Sequence, residues 1–227
     1  MKAFKYIRYF LYIAWNWHLR LALFTIYHEI RGELKYHLDT TGTEEVQNLH
    51  LQGLHREDAE VYQGASYYLL EKLFAYMQTV GKFNSMIDFG AGKGRVMIVA
   101  AAHGFKRVTG VEFAAEIWQQ AVRTVDRQKS PYPDTSFFPL HENAAEHRID
   151  DETQVFFFFN PFKDPVMRQV LKNILASGRR RPRKLYVLYT NPQLKHLFQD
   201  HGFKEIFYLR PMNYVEASIL LFEPENI

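Results

Sequence analysis

Cysteine is absent from this sequence. Disulfides, zinc–thiolate centres and thiol nucleophiles are thereby excluded, so packing and hydrogen bonds alone must hold the core. The absence suits a reducing compartment, and a cytoplasmic protein is expected. Charge imbalance is small: 28 Lys and Arg against 25 Asp and Glu leave +3, too mild to point to nucleic acid. The 10 His show no metal-ligand spacing, and His50 and His55 read as a surface pair in a polar stretch, so no metal is expected. No repeat and no low-complexity segment is present. A long uncharged apolar run is missing too. Residues 9–27 are about long enough to cross a bilayer, but Asn16, His18 and Arg20 fall near the middle. A central Arg opposes insertion by roughly 2.5–3.5 kcal/mol. No small-residue cleavage site follows a short apolar core, which argues against a secretory leader.

What is abundant is aromatic. Phe, Tyr and Trp make up 16% of the 227 residues, concentrated in the first 30 residues and in the run Phe156-Phe157-Phe158-Phe159. Residues 1–30 read as one or two helices, with Lys5, Arg8, Tyr12, Asn16 and Arg20 forming a narrow polar stripe at steps of three or four. Two readings of that segment stay open. It packs on its own domain or on a second subunit of a homodimer, or it lies in an anionic membrane surface with cations around its aromatics. A second basic cluster, Arg179, Arg180, Arg181, Arg183 and Lys184, surrounds Pro182.

The chain divides near residue 84. Residues 1–83 form a helical extension, with a turn-rich loop over 31–55 that includes Asp39-Thr40-Thr41-Gly42 and a helix over 58–80. Residues 31–66, Tyr62 among them, are placed as a lid over the site described below. Residues 84–227 alternate between strands (85–89, 107–112, 136–140, 154–159, 185–190) and helices (94–103, 114–128, 164–176, 192–201), and close on two adjacent strands (205–209, 217–222). The expected fold is α/β, a doubly wound, mostly parallel seven-stranded sheet with helices on both faces.

The first strand–helix junction of that region reads Asp88-Phe89-Gly90-Ala91-Gly92-Lys93-Gly94-Arg95. Gly90 and Gly92 permit a tight turn and close approach of a ligand to the backbone, and amides at the start of the next helix face that ligand. Twenty-four residues after Asp88 the next strand ends in Glu112, a carboxylate placed to accept hydrogen bonds from ribose hydroxyls. The spacing is G-x-G-x-G, not the G-x-G-x-x-G of dinucleotide loops, and Lys93 is followed by Gly, not the Ser or Thr of a phosphate loop. Asp88 itself suits an ammonium and repels a pyrophosphate.

The block 86–112 resembles the first two motifs of class I S-adenosylmethionine-dependent methyltransferases, within which the chain looks like an uncharacterised bacterial group; the resemblance covers residues 84–222. It implies S-adenosyl-L-methionine as cofactor, held at Asp88, Gly90, Ala91, Gly92, Gly94, Arg95, Glu112 and Phe113. The third strand end, Asn143-Ala144, matches where that family bonds the adenine amine, with Glu142 as a rival. Asn160-Pro161-Phe162 resembles the Asn/Asp-Pro-Pro-Tyr/Phe motif of amino-methylating members but has one proline, which argues against a nucleic-acid substrate. The resemblance thus implies methyl transfer to an amine, on a protein lysine or a small molecule, with Asn160, Pro161 and Phe162 catalytic. His141 and His147 lie near the cofactor side and read as loop residues before proton relays. The alternative is a catalytically silent module that binds a membrane or partner and keeps only the fold.

Overall fold

A computed structural model of the chain describes residues 2–41, 43–44 and 62–224. Helix α1 (Lys2–Asn16) is followed by α2 (Leu19–Tyr36). The break between them has a local cause. His18 is extended (φ −163°, ψ 156°), and its Nδ1 accepts the Leu21 N–H at 3.0 Å, capping α2. The single polar stripe of the sequence is therefore divided: Lys5 turns inward to Glu33 and Asp39, while Arg20 belongs to α2. Helix α2 also runs through Gly32, where a turn-rich loop was expected. Glycine is needed there because the Tyr67 ring occupies the space of a side chain.

Strand β1 (Thr43–Glu44) pairs antiparallel with β2 (Tyr62–Gln63). Helix α3 then covers Tyr67–Val80, starting later than the helix expected from residue 58. It buries Leu69, Leu70, Leu73, Phe74 and Met77 at helical spacing. The remaining order is β3 (Ser85–Phe89), α4 (Arg95–Ala102), β4 (Arg107–Glu112), α5 (Ala115–Gln128), β5 (Ser136–His141), β6 (Val155–Phe158), α6 (Asp164–Arg180), β7 (Leu185–Thr190), α7 (Lys195–Gln199), β8 (Lys204–Met212) and β9 (Val215–Phe222).

The main sheet has seven strands in the order β5-β4-β3-β6-β7-β9-β8. The first five are parallel, and β9 inserts antiparallel between β7 and β8. The sheet is thus mixed. Strands β3, β6 and β7 are buried throughout, as their near-continuous apolar runs require of strands covered on both faces. One face packs Met86, Phe157 and Leu188 under α3, α4 and the N-terminal pair. The other packs Ile87, Phe156 and Tyr189 against α6 and α7. The extension expected over 1–83 shares the first of these cores, through Tyr9, Ile13, Leu21 and Ala22.

Because β3 leads outward to β4 and β5 on one side, and β6 to β7 on the other, strand order reverses between β3 and β6. A crevice forms at their carboxyl ends. The basic cluster lies at the opposite, amino end of β7 and is spent on internal partners. Arg180 pairs with Asp151, Arg181 with Glu152 and Lys184 with Glu223, and Arg183 donates to the Thr153 and Ser177 carbonyls at 2.6 and 2.8 Å. Through these four side chains the cluster ties the end of α6 and the start of β7 to the 149–154 loop and to Glu223. Among the described residues no helix is long and apolar enough to cross a membrane.

Candidate functional site

The crevice is built by three chain segments. The first is the glycine loop after β3. Gly90, Gly92 and Gly94 all have positive φ (78°, 56° and 81°), the left-handed region that a side chain resists. The loop is tied to the end of β4: Gly90 and Ala91 both donate to the Val111 carbonyl, at 2.9 and 3.0 Å. At Gly90 a second constraint acts, since an added Cβ would overlap the Pro161 ring. The loops after β3 and β6 therefore touch, and glycine is required for space as well as for conformation.

The second segment is Glu112, at the tip of β4. Its Oε2 accepts the Gly92 N–H and its Oε1 the Ala114 N–H, each at 2.9 Å. The carboxylate sets the loop and keeps lone pairs on both oxygens for a further donor. Burial raises its pKa, opposed by the amides of Ala114, Gly92 and Phe113 and by His141. Phe113 contributes backbone, its carbonyl lying 3.0 Å from His141 Nε2.

The third segment is the end of β6, where Asn160 takes a positive φ of 38°. Both its side-chain amide atoms are shut off from solvent without a hydrogen-bond partner. The same holds for Asp88 Oδ2 on the adjacent strand, Asp88 being 1% exposed. Burial, with Glu112 nearby, drives the Asp88 carboxyl well above the ordinary carboxylate range. Buried polar groups are nearly always paired, and leaving one unpaired costs about 1–3 kcal/mol. Two such groups at the switch point of one sheet mark a place built to receive polar donors and acceptors from a ligand.

Other expected residues fall differently. The Arg95 side chain turns away from the loop. Its NH1 and NH2 meet Glu29 Oε1 and Oε2 at 2.9 and 2.7 Å, Nε donates to Thr40 Oγ1 at 2.9 Å, and the guanidinium lies over the Tyr67 ring at 4.1 Å. A side-chain part in ligand binding is thus corrected. Arg95 clamps α2 and the 40–41 loop onto the start of α4, and its backbone amide is what remains for a ligand. Asn143 caps a turn, accepting the Ala145 N–H at 3.0 Å and donating to Glu146 Oε1 at 3.1 Å. Ala144 is buried in the core facing α6. His147 pairs with Glu142 at 2.7 Å, and His141 stacks on Trp118 with centroids 5.3 Å apart. Phe162 meets Phe158 edge-on at 6.3 Å. Of the segment placed as a lid, Thr40 and Thr41 are buried, their amides bonded to Glu33 Oε1 at 2.7 and 2.6 Å. Gly42, the 45–61 stretch and the Tyr62 side chain lie outside the described residues.

A cavity that the sequence did not signal lies past the carboxyl ends of β6 and β7. It has a volume of about 170 Å³ and is lined by Phe159 after β6, Thr190 and Asn191 after β7, Tyr214 before β9, and Ile13 and Trp17 of the N-terminal segment, among others. Its walls are mainly aromatic and aliphatic. Glu29 borders it with both oxygens engaged by Arg95.

No family model matches the chain, and no curated protein is similar to it. Solved structures are. Magnesium protoporphyrin IX methyltransferase from Synechocystis PCC 6803, with bound S-adenosylmethionine, is 12% identical over 68% of this chain and 77% of its own, with a TM-score of 0.51. The ribosomal protein L11 methylase of Lactobacillus delbrueckii subsp. bulgaricus gives 14% identity, 70% and 80% coverage and a TM-score of 0.50. A SAM-dependent methyltransferase from Aquifex aeolicus gives 14%, 67% and 88%, and 0.51. The chain therefore has the class I S-adenosylmethionine-dependent methyltransferase fold, while the first of these proteins is named for a porphyrin and the second for a ribosomal protein.

Proposed function

We propose that this protein is an S-adenosylmethionine-dependent methyltransferase that methylates an amine nitrogen, on a protein lysine or a small molecule. The observation that carries the reading is the pair of solvent-shielded polar groups without a partner, Asp88 Oδ2 on β3 and the Asn160 carboxamide just past the end of β6, at the switch point. Their chemistry fits the cofactor. A buried carboxylate accepts an ammonium and rejects a pyrophosphate, and Asp88 would hold the amino acid end. Amides of the Gly90–Gly94 loop would face its carboxylate, and the remaining lone pairs of Glu112 the ribose hydroxyls. The backbone of Asn143 and Ala144 would face the adenine. When bound, the cofactor supplies an activated methyl on a sulfonium.

The chain's own part is alignment. A neutral amine needs no strong base. Asn160 would accept an N–H hydrogen bond from the nucleophile through Oδ1, pointing its lone pair along the line of displacement. Pro161, held against Gly90, fixes that carboxamide, and Phe162 supplies apolar wall. The S–CH3 bond breaks as the N–CH3 bond forms, and the surplus N–H proton leaves to solvent. The cavity beside Phe159 and Thr190 would take the acceptor's body.

Titration calorimetry with S-adenosylmethionine, S-adenosylhomocysteine and NAD tests the cofactor assignment: the first two should bind and NAD should not. Labelling a lysate with a radioactive methyl donor then finds the acceptor. Tight NAD binding without S-adenosylhomocysteine binding overturns the assignment. Cofactor binding with no transfer to any amine favours the silent module.

A further inference from the structure

The two N-terminal helices leave an outer face that the rest of the fold does not cover. On α1, Phe4, Ile7, Leu11 and Trp15 recur at steps of three and four and are exposed, Trp15 to 90%. On α2, Leu23, Tyr27, Ile30 and Leu34 repeat the pattern. Each set is one stripe of a helix, and the inner stripes, Tyr9 and Ile13 on α1 and Leu21 and Ala22 on α2, are already buried in the core. The outer stripes are a second apolar surface, not the edge of the first. An apolar patch of this extent marks an interaction site.

Charge identifies the occupant. The acids of α1 and α2 are Glu29 and Glu33, and both are buried. Arg8, Arg20 and Arg31 are exposed beside the stripes. A groove of about 240 Å³ between α2 and α3, bordered by the same Arg31, adds Lys35 and Lys72 against the single acid Glu71. The His28 imidazole in that groove is held below its ordinary value by burial and by Arg31, which fits local positive potential. A second copy related by a two-fold axis would set these cations against themselves. A surface of anionic headgroups supplies the missing sign, and its acyl boundary covers the stripes.

We infer that the outer face of α1 and α2 docks this protein on an anionic lipid bilayer. The helices lie in the interface, about 5–10 Å into the headgroup region, rather than across it. Trp17, half-exposed at the joint of the helices, is also a wall of the cavity beside Phe159, so docking puts that wall at the membrane. The inference does not depend on which group is methylated.

The full chain is the right material, because removing residues 1–30 would delete Glu29 and strand Arg95. Co-sedimentation with phosphatidylcholine vesicles, with and without phosphatidylserine, at low and high salt, is the measurement. Binding should be roughly tenfold or more stronger with phosphatidylserine and should fall with salt. The exposed double variant Leu11→Ser, Trp15→Ser should lose roughly tenfold or more in binding with an unchanged melting temperature. If that variant melts early, Arg20→Glu with Arg31→Glu takes its place, expected to abolish the phosphatidylserine preference. Equal binding to both vesicle types, no binding at low salt, or a solution dimer that the double variant dissociates would each overturn the inference.

Discussion

Replacing Asp88 by Asn separates what this residue costs the fold from what it does for a ligand. In the ligand-free protein the carboxylate is buried, lacks a partner at Oδ2 and faces Glu112. Its folded pKa lies above the unfolded value of 3.8. The group therefore favours the native state only while protonated, and ligand-free stability is lost as pH rises from the unfolded value through the folded one. Asn carries no charge at any pH. Asp88→Asn should accordingly melt higher than the parent at neutral pH, by about 2–4 °C for each kcal/mol relieved in a chain of this size. Binding should move the other way. Hydrogen bonds to a charged partner contribute about 1.5–3 kcal/mol, so S-adenosylhomocysteine should bind roughly 10- to 150-fold more weakly. In the parent an ammonium ligand must expel the Asp88 proton, so affinity should climb as pH rises through the raised pKa, and this climb should flatten in the variant. Scanning calorimetry and titration calorimetry across pH read all three quantities. A variant that melts lower and binds as tightly as the parent would refute the reasoning.

The ion pair behind the loop gives a second test. Glu29→Ala leaves the Arg95 guanidinium buried without its carboxylate and should cost about 3–5 kcal/mol in urea unfolding, whereas Glu29→Leu with Arg95→Met should recover most of that; a double variant that costs the sum of the singles counts against the clamp. Asn160→Ala should slow methyl transfer by about tenfold or more, near 1.4 kcal/mol, while S-adenosylhomocysteine affinity stays within a few-fold; a parallel fall in both would assign Asn160 to the cofactor instead.

The site was legible where its chemistry is local. Strand, glycine loop, helix and Glu112 fall within residues 85–112, and their spacing alone orders them as the structure has them. Asn160 was legible for the same reason, as the end of an apolar run that only a central strand accommodates. Arg95 was misread because it adjoins the loop in sequence while its partner, Glu29, lies 66 residues upstream, beyond the reach of periodicity or motif. The sequence left one helix or two open over residues 1–30, because the apolar pattern continues through the break and the cap is a histidine, a residue with no cap preference. Gly32 looked like a turn because its reason, the Tyr67 ring, comes from another helix. The cavity had no signal, being assembled from five separate segments. Strand order is likewise invisible in a list of elements, so the antiparallel insertion of β9 appears only in three dimensions.

The Glu29–Arg95 clamp also sets a timetable for synthesis. Glu29 is made before the residue that neutralises it, and at about 5–20 residues per second the 66-residue gap lasts roughly 3–13 s. During that interval α1 and α2 have no sheet to cover Tyr9, Ile13, Leu21 and Ala22, and their outer stripes are bare as well. The nascent chain thus shows its most adhesive surface, apolar on both sides, before the body that would hide half of it exists. Recombinant yield should be governed by those seconds, by growth temperature and by chaperone supply, more than by the stability of the finished protein.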